Sequence, residues 1–176
     1  MPGIDERISF RPLKIAILTV SDSRTIETDK SGALLESRAS SAGHTVVSRT
    51  IVPDEFDVLV SQLNDLIQSV DVEVVLTTGG TGVTGRDVTP EAVERVGEKH
   101  IPGFGELFRW LSYAGIGTST IQSRATAVVA NGTYIFALPG STGACRDAWD
   151  GILKDQLDIR HKPCNFAELI PRLREK

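Results

Sequence analysis

The chain has 176 residues, 19 Lys and Arg against 23 Asp and Glu, a formal net charge of −4, and 40% hydrophobic residues. That length suits one ordinary domain with a real core, and the near balance of charge excludes a disordered charged tail and argues against a dedicated nucleic-acid binder. Two cysteines, Cys145 and Cys164, are too few for a disulfide scaffold or a zinc site of their own. No run approaches ~18 apolar residues, so no membrane helix is expected. Met1 to Pro12 is charged and lacks the apolar centre of a signal peptide. A cytoplasmic domain over residues 13–166 is expected, with short tails at 1–12 and 167–176.

Leu13 to Val20 (LKIAILTV) is a continuous apolar, β-branched run. It predicts a strand buried on both faces, as in a parallel sheet. Ser21–Asp22–Ser23 follows it. A helix is expected over Ser31 to Ala42, with Leu34, Leu35 and Ala39 inward and Gly43 closing it. Thr45 to Val52 reads as a second strand, stopped by Pro53. Asp54 then stands where a helix N-cap belongs. The apolar spacing from Phe56 to Ile67 is one face of a helix. Val72 to Thr78 is a third buried strand, running into Gly79–Gly80–Thr81–Gly82.

Thr89–Pro90–Glu91 opens a further helix, with Thr89 as cap and Pro90 in the first turn. Phe104 to Leu111 predicts one or two more helical turns. Arg124 to Ala130 and Thr133 to Leu138 flank Asn131–Gly132, a strong hairpin signal. Pro139–Gly140–Ser141 leads into a last helix, with Cys145, Ala148, Trp149, Ile152 and Leu153 on its inner face. Strands alternating with helices predict a three-layer α/β/α sandwich with a mostly parallel sheet plus an antiparallel hairpin. Ligands of such sheets sit beyond the carboxyl ends of the strands, so the loops after Val20, Val52, Thr78 and Leu138 carry the functional expectation.

Gly79–Gly82 offers backbone N–H groups without side chains in the way, which suits phosphate oxygens. A tight strand-to-helix turn explains the same four residues equally well. The loop matches neither a P-loop nor a GxGxxG dinucleotide site. Asp87, five residues on, would repel phosphate unless a cation intervened, and magnesium is the usual one. Asp54 is a second candidate ligand, against the plain reading as a helix cap. Asp22 and Asp29 suit turns or caps. Arg86 and Arg124 are candidate phosphate clamps, or otherwise a solvated surface pair. Ser123 can donate to a ligand or to a turn. His44, His100 and His161 have no metal-ligand spacing, and neither cysteine has the context of a nucleophile.

The ordered series TVSDS, TDKSG, VPDE, TTGGTG, GRDVTPEA, PGFGE, QSRA and PGST resembles the MoaB/Mog family of molybdenum cofactor biosynthesis. The likeness spans about Leu13 to Phe166. FRWLSYAGIGTSTIQSRA, PGSTGACRDAW and HKPCNF point to the MoaB branch. What the resemblance implies is adenylyl transfer: AMP passes from Mg-ATP to the terminal phosphate of molybdopterin, with pyrophosphate released. It implies that Asp54 and Asp87 are the catalytic, magnesium-holding aspartates. Gly79, Gly80, Thr81 and Gly82, with Pro139, Gly140 and Ser141, map to the nucleotide and phosphate site. Ser21, Asp22, Ser123 and Arg124 are the candidate substrate-binding residues, Ser123 at the pterin end. Pro139–Gly140–Ser141–Thr142 lacks the second proline typical of the adenylyltransferase branch. The alternative is a non-catalytic protein that holds molybdopterin or a nucleotide.

The resemblance also implies a homo-oligomer, a trimer or a hexamer of paired trimers. Phe104, Leu107, Phe108, Trp110, Leu111 and Tyr113 offer separate support: one short helix cannot turn all of them inward. The opposing reading buries the segment under the hairpin.

Overall fold

The computed structural model describes residues 2–175; Met1 and Lys176, the ends of the two expected tails, lie outside the described residues. In chain order the elements are β1 (Gly3–Ile4), β2 (Lys14–Val20), α1 (Lys30–Ser41), β3 (Thr45–Val52), α2 (Phe56–Gln68), β4 (Val74–Thr78), α3 (Thr89–Val96), β5 (Lys99–His100), α4 (Pro102–Ile116), β6 (Thr126–Ala130), β7 (Thr133–Leu138) and α5 (Thr142–Ala148). A π turn, Trp149–Leu153, joins α5 to α6 (Lys154–Gln156), followed by β8 (His161–Lys162) and α7 (Phe166–Leu169).

Six strands form one sheet in the order β3-β2-β4-β7-β6-β5. The first four run parallel, whereas β6 is antiparallel to both β7 and β5. The expected three-layer architecture with its added hairpin is therefore the one observed. Alternation along β2 divides the core in two. Ile15 and Ile17 face the layer of α1, α4 and α5, while Ala16, Leu18 and Val20 face α2 and α3. Both faces are covered, which is why the run contains no polar alternation. At the hairpin, Asn131 (φ 48°) and Gly132 (φ 77°) adopt the paired left-handed conformations that such a two-residue turn needs.

Several elements differ from expectation. α4 continues to Ile116 and is followed by a 3-10 turn over Gly117–Gln122, beyond the one or two turns predicted. Ser112 is buried on the same stripe as Phe104 and Phe108, and that packing carries the helix past Leu111. Asp54 does not cap α2: Glu55 holds that position, and no side chain bonds to the helix. Thr89 is not the cap of α3 either. It is the first helical residue, Val88 precedes it as cap, and its hydroxyl donates to the Gly79 carbonyl at 2.8 Å. Asp29 does cap α1, accepting from Gly32 N at 2.9 Å. β6 starts at Thr126, two residues after Arg124, because the backbone N–H of Arg124 donates to the Thr81 carbonyl instead.

The segments outside the central sheet also pack. β1 pairs antiparallel with β8, and Ala167 of α7 is buried. Phe10 packs against His44 with ring centroids 5.3 Å apart and the planes tilted by 45°, and Trp149 meets the imidazole edge-on at 6.2 Å. His44 Nδ1 accepts the Leu13 N–H at 3.2 Å. Burial pushes the His44 pKa down, more than the charges of Asp158 and Glu73 push it up. The folded state thus favours neutral His44. Its contribution to stability is complete above the unfolded pKa of about 6.5 and is lost as pH falls from there through the depressed folded value. Urea midpoints at pH 7.5 and pH 5.5 should therefore drop in the wild type, and drop less in His44→Gln. No described helix is long and apolar enough to cross a membrane.

Candidate active site

The parallel strands β2, β3, β4 and β7 end at one edge of the sheet, so the four loops singled out above meet there. Gly79, just after β4, is wedged between neighbours. Its φ is 106°, its N–H donates to the Leu138 carbonyl at 3.0 Å, and a Cβ there would collide with the Val20 carbonyl oxygen. Gly140 allows the second loop to approach: its Cβ would stand 3.2 Å from Gly79 Cα. Beneath both loops, the Thr78 hydroxyl donates to the Pro139 carbonyl at 3.0 Å and lies 3.2 Å from Cys145 Sγ. Cys145 is fully buried, as a small core residue should be, and burial pushes its thiol up to about 11.

Gly80 and Gly82 serve the carboxylates. A Cβ on Gly80 would come within 2.7 Å of Asp54 Oδ1, and one on Gly82 within 2.7 Å of Asp87 Oδ2. The room left by the missing side chains is occupied by the Thr89 hydroxyl and Asp54 at Gly80, and by Asp87 at Gly82. Asp54 Oδ1 is buried and has no hydrogen-bond partner among the described residues. Burial holds its pKa above the usual carboxylate value, helped by the negative charges of Asp22 and Asp87 and opposed by Arg86. Asp87 is shifted the other way. It accepts the Thr84 hydroxyl at 2.6 Å and the Thr84 N–H at 2.8 Å, and the hydroxyl bond is the main cause of its lowered pKa. Neighbouring carboxylates pushed in opposite directions are a mark of functional sites.

A cleft of about 510 Å³ opens beside this loop. Gly79–Gly82 and Asp87 line one end, Pro139–Ser141 and Ser123 its sides, and Phe108 the interior. Asp54, Ser21, Asp22 and Arg124 lie outside that lining. Asp54 stands against Gly80, with Asp22 accepting its N–H at 3.0 Å and pairing with Arg86. The Ser21 hydroxyl accepts from Ser23 N and Arg24 N, and the Ser141 hydroxyl caps α5 through Ala144 N. Arg86 and Arg124 do not form a surface pair. Arg124 donates Nε–H to the Gly82 carbonyl at 2.6 Å and an Nη2 hydrogen to the Asp87 carbonyl at 2.7 Å, and its Nη1 pairs with Glu91. One guanidinium therefore braces both ends of the segment that carries Asp87.

Magnesium typically keeps waters and takes one or two carboxylates plus phosphate oxygens, not an all-protein cage. The unpartnered Asp54 oxygen, together with Asp87, fits that requirement. Among the described residues no cluster of three or more His, Cys, Asp or Glu could cage a metal. Sequence reading missed Phe108, Ser112 and Ile116 as cleft residues, although their i, i+4, i+8 spacing marks a single helix stripe. It also missed Asp147, which lines the cleft from α5.

Sheet order and cleft position define a three-layer α/β protein with a cleft at the carboxyl edge of its parallel strands. Residues 16–159 match the family described as "Probable molybdopterin binding domain". The chain is 54% identical over 157 residues to molybdenum cofactor biosynthesis protein B of Escherichia coli strain K12, covering 89% of this chain and 92% of that protein. A crystal structure of a molybdenum cofactor biosynthesis protein B matches with a TM-score of 0.85 at 40% identity, covering 94% and 98% of the two chains. The tungsten cofactor synthesizing protein MoaB from Pyrococcus furiosus matches at 0.73 and 36%, covering 82% and 92%. The chain belongs to the MoaB/Mog family of molybdenum cofactor biosynthesis proteins.

Proposed function

We propose that this protein acts in molybdenum cofactor biosynthesis by transferring AMP from Mg-ATP to the terminal phosphate of molybdopterin, releasing pyrophosphate. The observation that carries this reading is Asp54 Oδ1, a buried carboxylate oxygen without a partner, beside the glycine loop and Asp87. Burying such a group without compensation is costly, and a cation brought by the substrate would supply the missing partner. Asp54 and Asp87 would hold magnesium, which when bound neutralises charge on the phosphates. The chain's own groups do the rest. Backbone N–H groups of Gly80 and Thr81 would face phosphate oxygens, since those of Gly79 and Gly82 are taken by the Leu138 carbonyl and by Asp87; the Ser141 loop closes the opposite wall, and Arg124 keeps Asp87 in place. Adenylyl transfer needs little covalent help from a protein; alignment and charge stabilisation are the main requirements.

Purified protein with molybdopterin and Mg-ATP should release pyrophosphate with molybdopterin-dependent turnover. Binding of both ligands without pyrophosphate release would overturn the enzymatic reading and leave a carrier.

We also propose a homo-oligomer built on the outer face of α4. Phe104 and Phe108 are buried, whereas Trp110 is 72% exposed and Tyr113, with Ile121 of the following 3-10 turn, is also open to solvent. Contiguous exposed apolar groups commonly mark an interface, and closed symmetric rings are the usual result. Light scattering at micromolar concentration should give a multiple of the 19.0 kDa chain mass, and Trp110→Glu should reduce it. A monomeric wild type would refute the assembly; an unchanged variant would remove this face from it.

A further inference from the structure

Residues 122–125 are a partition between two hollows. On one side lies the cleft, lined by Gln122 and Ser123. On the other lies a groove of about 440 Å³ between α3 and α4, lined by Glu94, Glu106, Arg109, Ser123 and Arg124 among others. Ser123 lines both, so the wall there is one chain thick. A wall with open space on both faces has few packed atoms to hold it, and hydrogen bonds decide where it stands.

β6 starts only at Thr126, so the carbonyls of Ser123 and Ala125 lie outside the sheet ladder. Arg109 of α4 meets both from the groove side. Its Nη1 donates to the Ser123 carbonyl at 3.3 Å and to the Ala125 carbonyl at 3.1 Å. Ala125 is buried, where an unpaired carbonyl is costly. α4 approaches closely enough because residue 105 is glycine: a Cβ there would stand 2.2 Å from the Ala125 carbonyl oxygen. The Thr120 hydroxyl donates back to the Arg109 carbonyl at 3.1 Å, fastening the turn before the wall to the same residue.

Arg124 stands between the two anchored carbonyls. Its N–H donates to the Thr81 carbonyl at 3.0 Å, and its guanidinium donates to the Gly82 and Asp87 carbonyls. Hydrogen bonds therefore run in series from α4, through Arg109 and the wall, to Arg124 and the segment that carries Asp87. We infer that Arg109 is a positioning residue, which sets residues 123–125 against α4 and thereby sets, through Arg124, where Asp87 stands. Arg109 itself is not part of the cleft lining. This rests on the reading of Asp87 as a magnesium ligand under the proposed function and adds the residue that aims it. Residues that orient a metal ligand from behind typically change metal affinity about 10- to 100-fold.

Both bonds come from one nitrogen, so the ammonium of Arg109→Lys, with three donors on one nitrogen, can make the same pair. Arg109→Met keeps an apolar stem and has no donor. Calorimetry measures ATP affinity with magnesium and with EDTA, well below the thermal midpoint of each variant. Arg109→Met should reduce the magnesium-dependent gain in ATP affinity roughly 10-fold. Metal-free ATP affinity should stay within about two-fold, and Arg109→Lys should recover most of the gain. Arg109→Gln, polar but shorter, gives the same reading where the Met variant is unstable. A role confined to fold stability would lower the thermal midpoint and leave the gain intact. An intact gain in Arg109→Met, beside its loss in Asp87→Asn, would overturn the positioning role and leave the proposed function standing. An equal loss for metal-free ATP would overturn it too, by showing a general effect on phosphate binding. So would a Lys variant no better than Met, since the carbonyl bonds would then not be what matters. A wild type whose ATP binding ignores magnesium would overturn this role and the proposed function together.

Discussion

Asp54→Asn is expected to lose most of the adenylyl transfer while keeping or raising the stability of the fold. A lost electrostatic group at a reacting phosphate reduces kcat by about 10²- to 10³-fold. Stability should respond oppositely, because Asp54 Oδ1 is buried without a partner and its ionisation is resisted by burial and by Asp22 and Asp87. A carboxylate whose folded pKa lies above its unfolded value destabilises the fold at neutral pH. That penalty is relieved as pH falls through the folded pKa toward the unfolded one. The stability gain of Asp54→Asn should therefore be largest near pH 7.5 and shrink toward pH 4.

Asp87→Asn gives the contrasting case. It should lose activity to a similar degree, but its lowered pKa means that the ionised form stabilises the fold. That contribution is present above the unfolded carboxylate pKa and disappears as pH falls through the folded one, so this variant should be less stable than wild type at neutral pH. Pyrophosphate release and urea denaturation across pH measure both effects. Wild-type turnover in either variant would remove that aspartate from the chemistry.

Gly79→Val should be among the most destabilising single changes in the protein, at about 4 kcal/mol or more. The position combines a φ of 106° with a direct collision between the new Cβ and the Val20 carbonyl oxygen. That oxygen belongs to β2, which is paired on both sides by β3 and β4 and cannot move aside. Gly82→Ala is different in kind. Its φ lies outside the left-handed region, and its Cβ would meet the Asp87 carboxylate, a side chain able to turn away. It should cost about 1 kcal/mol or less of stability but displace Asp87, so Mg-ATP affinity should fall on the order of 10-fold. Thermal midpoints and calorimetric affinities separate the two. If Gly82→Ala loses stability without losing affinity, the loop is a turn and not a phosphate cradle.

Much of the architecture was legible because local pattern and burial agree. The unbroken LKIAILTV run can only be satisfied by two covered faces, and β2 has them. Asn131–Gly132 has few conformational alternatives, so the hairpin follows from two residues. The order of motifs identified the family, and with it the glycine loop and both aspartates. Helix ends were less legible. The apolar cluster predicts a helix only from Phe104 to Leu111, yet α4 continues to Ile116 because its buried stripe includes Ser112. Thr89 reads as a cap because capping is the usual local use of threonine, but its hydroxyl is taken by the Gly79 carbonyl.

Sequence by itself determined the fold class, the strand and helix periods, and which loops share the carboxyl edge of the sheet. These depend on neighbours along the chain and on the direction of parallel strands. Only tertiary structure decided what the functional groups face. It placed Asp54 against Gly80 and left one oxygen unpartnered. It bound Arg124 to the backbone of the Asp87 segment, and it brought Asp147 of α5 opposite α4. Those outcomes depend on distances between residues tens of positions apart, and desolvation and hydrogen bonding act on such distances irrespective of spacing in sequence.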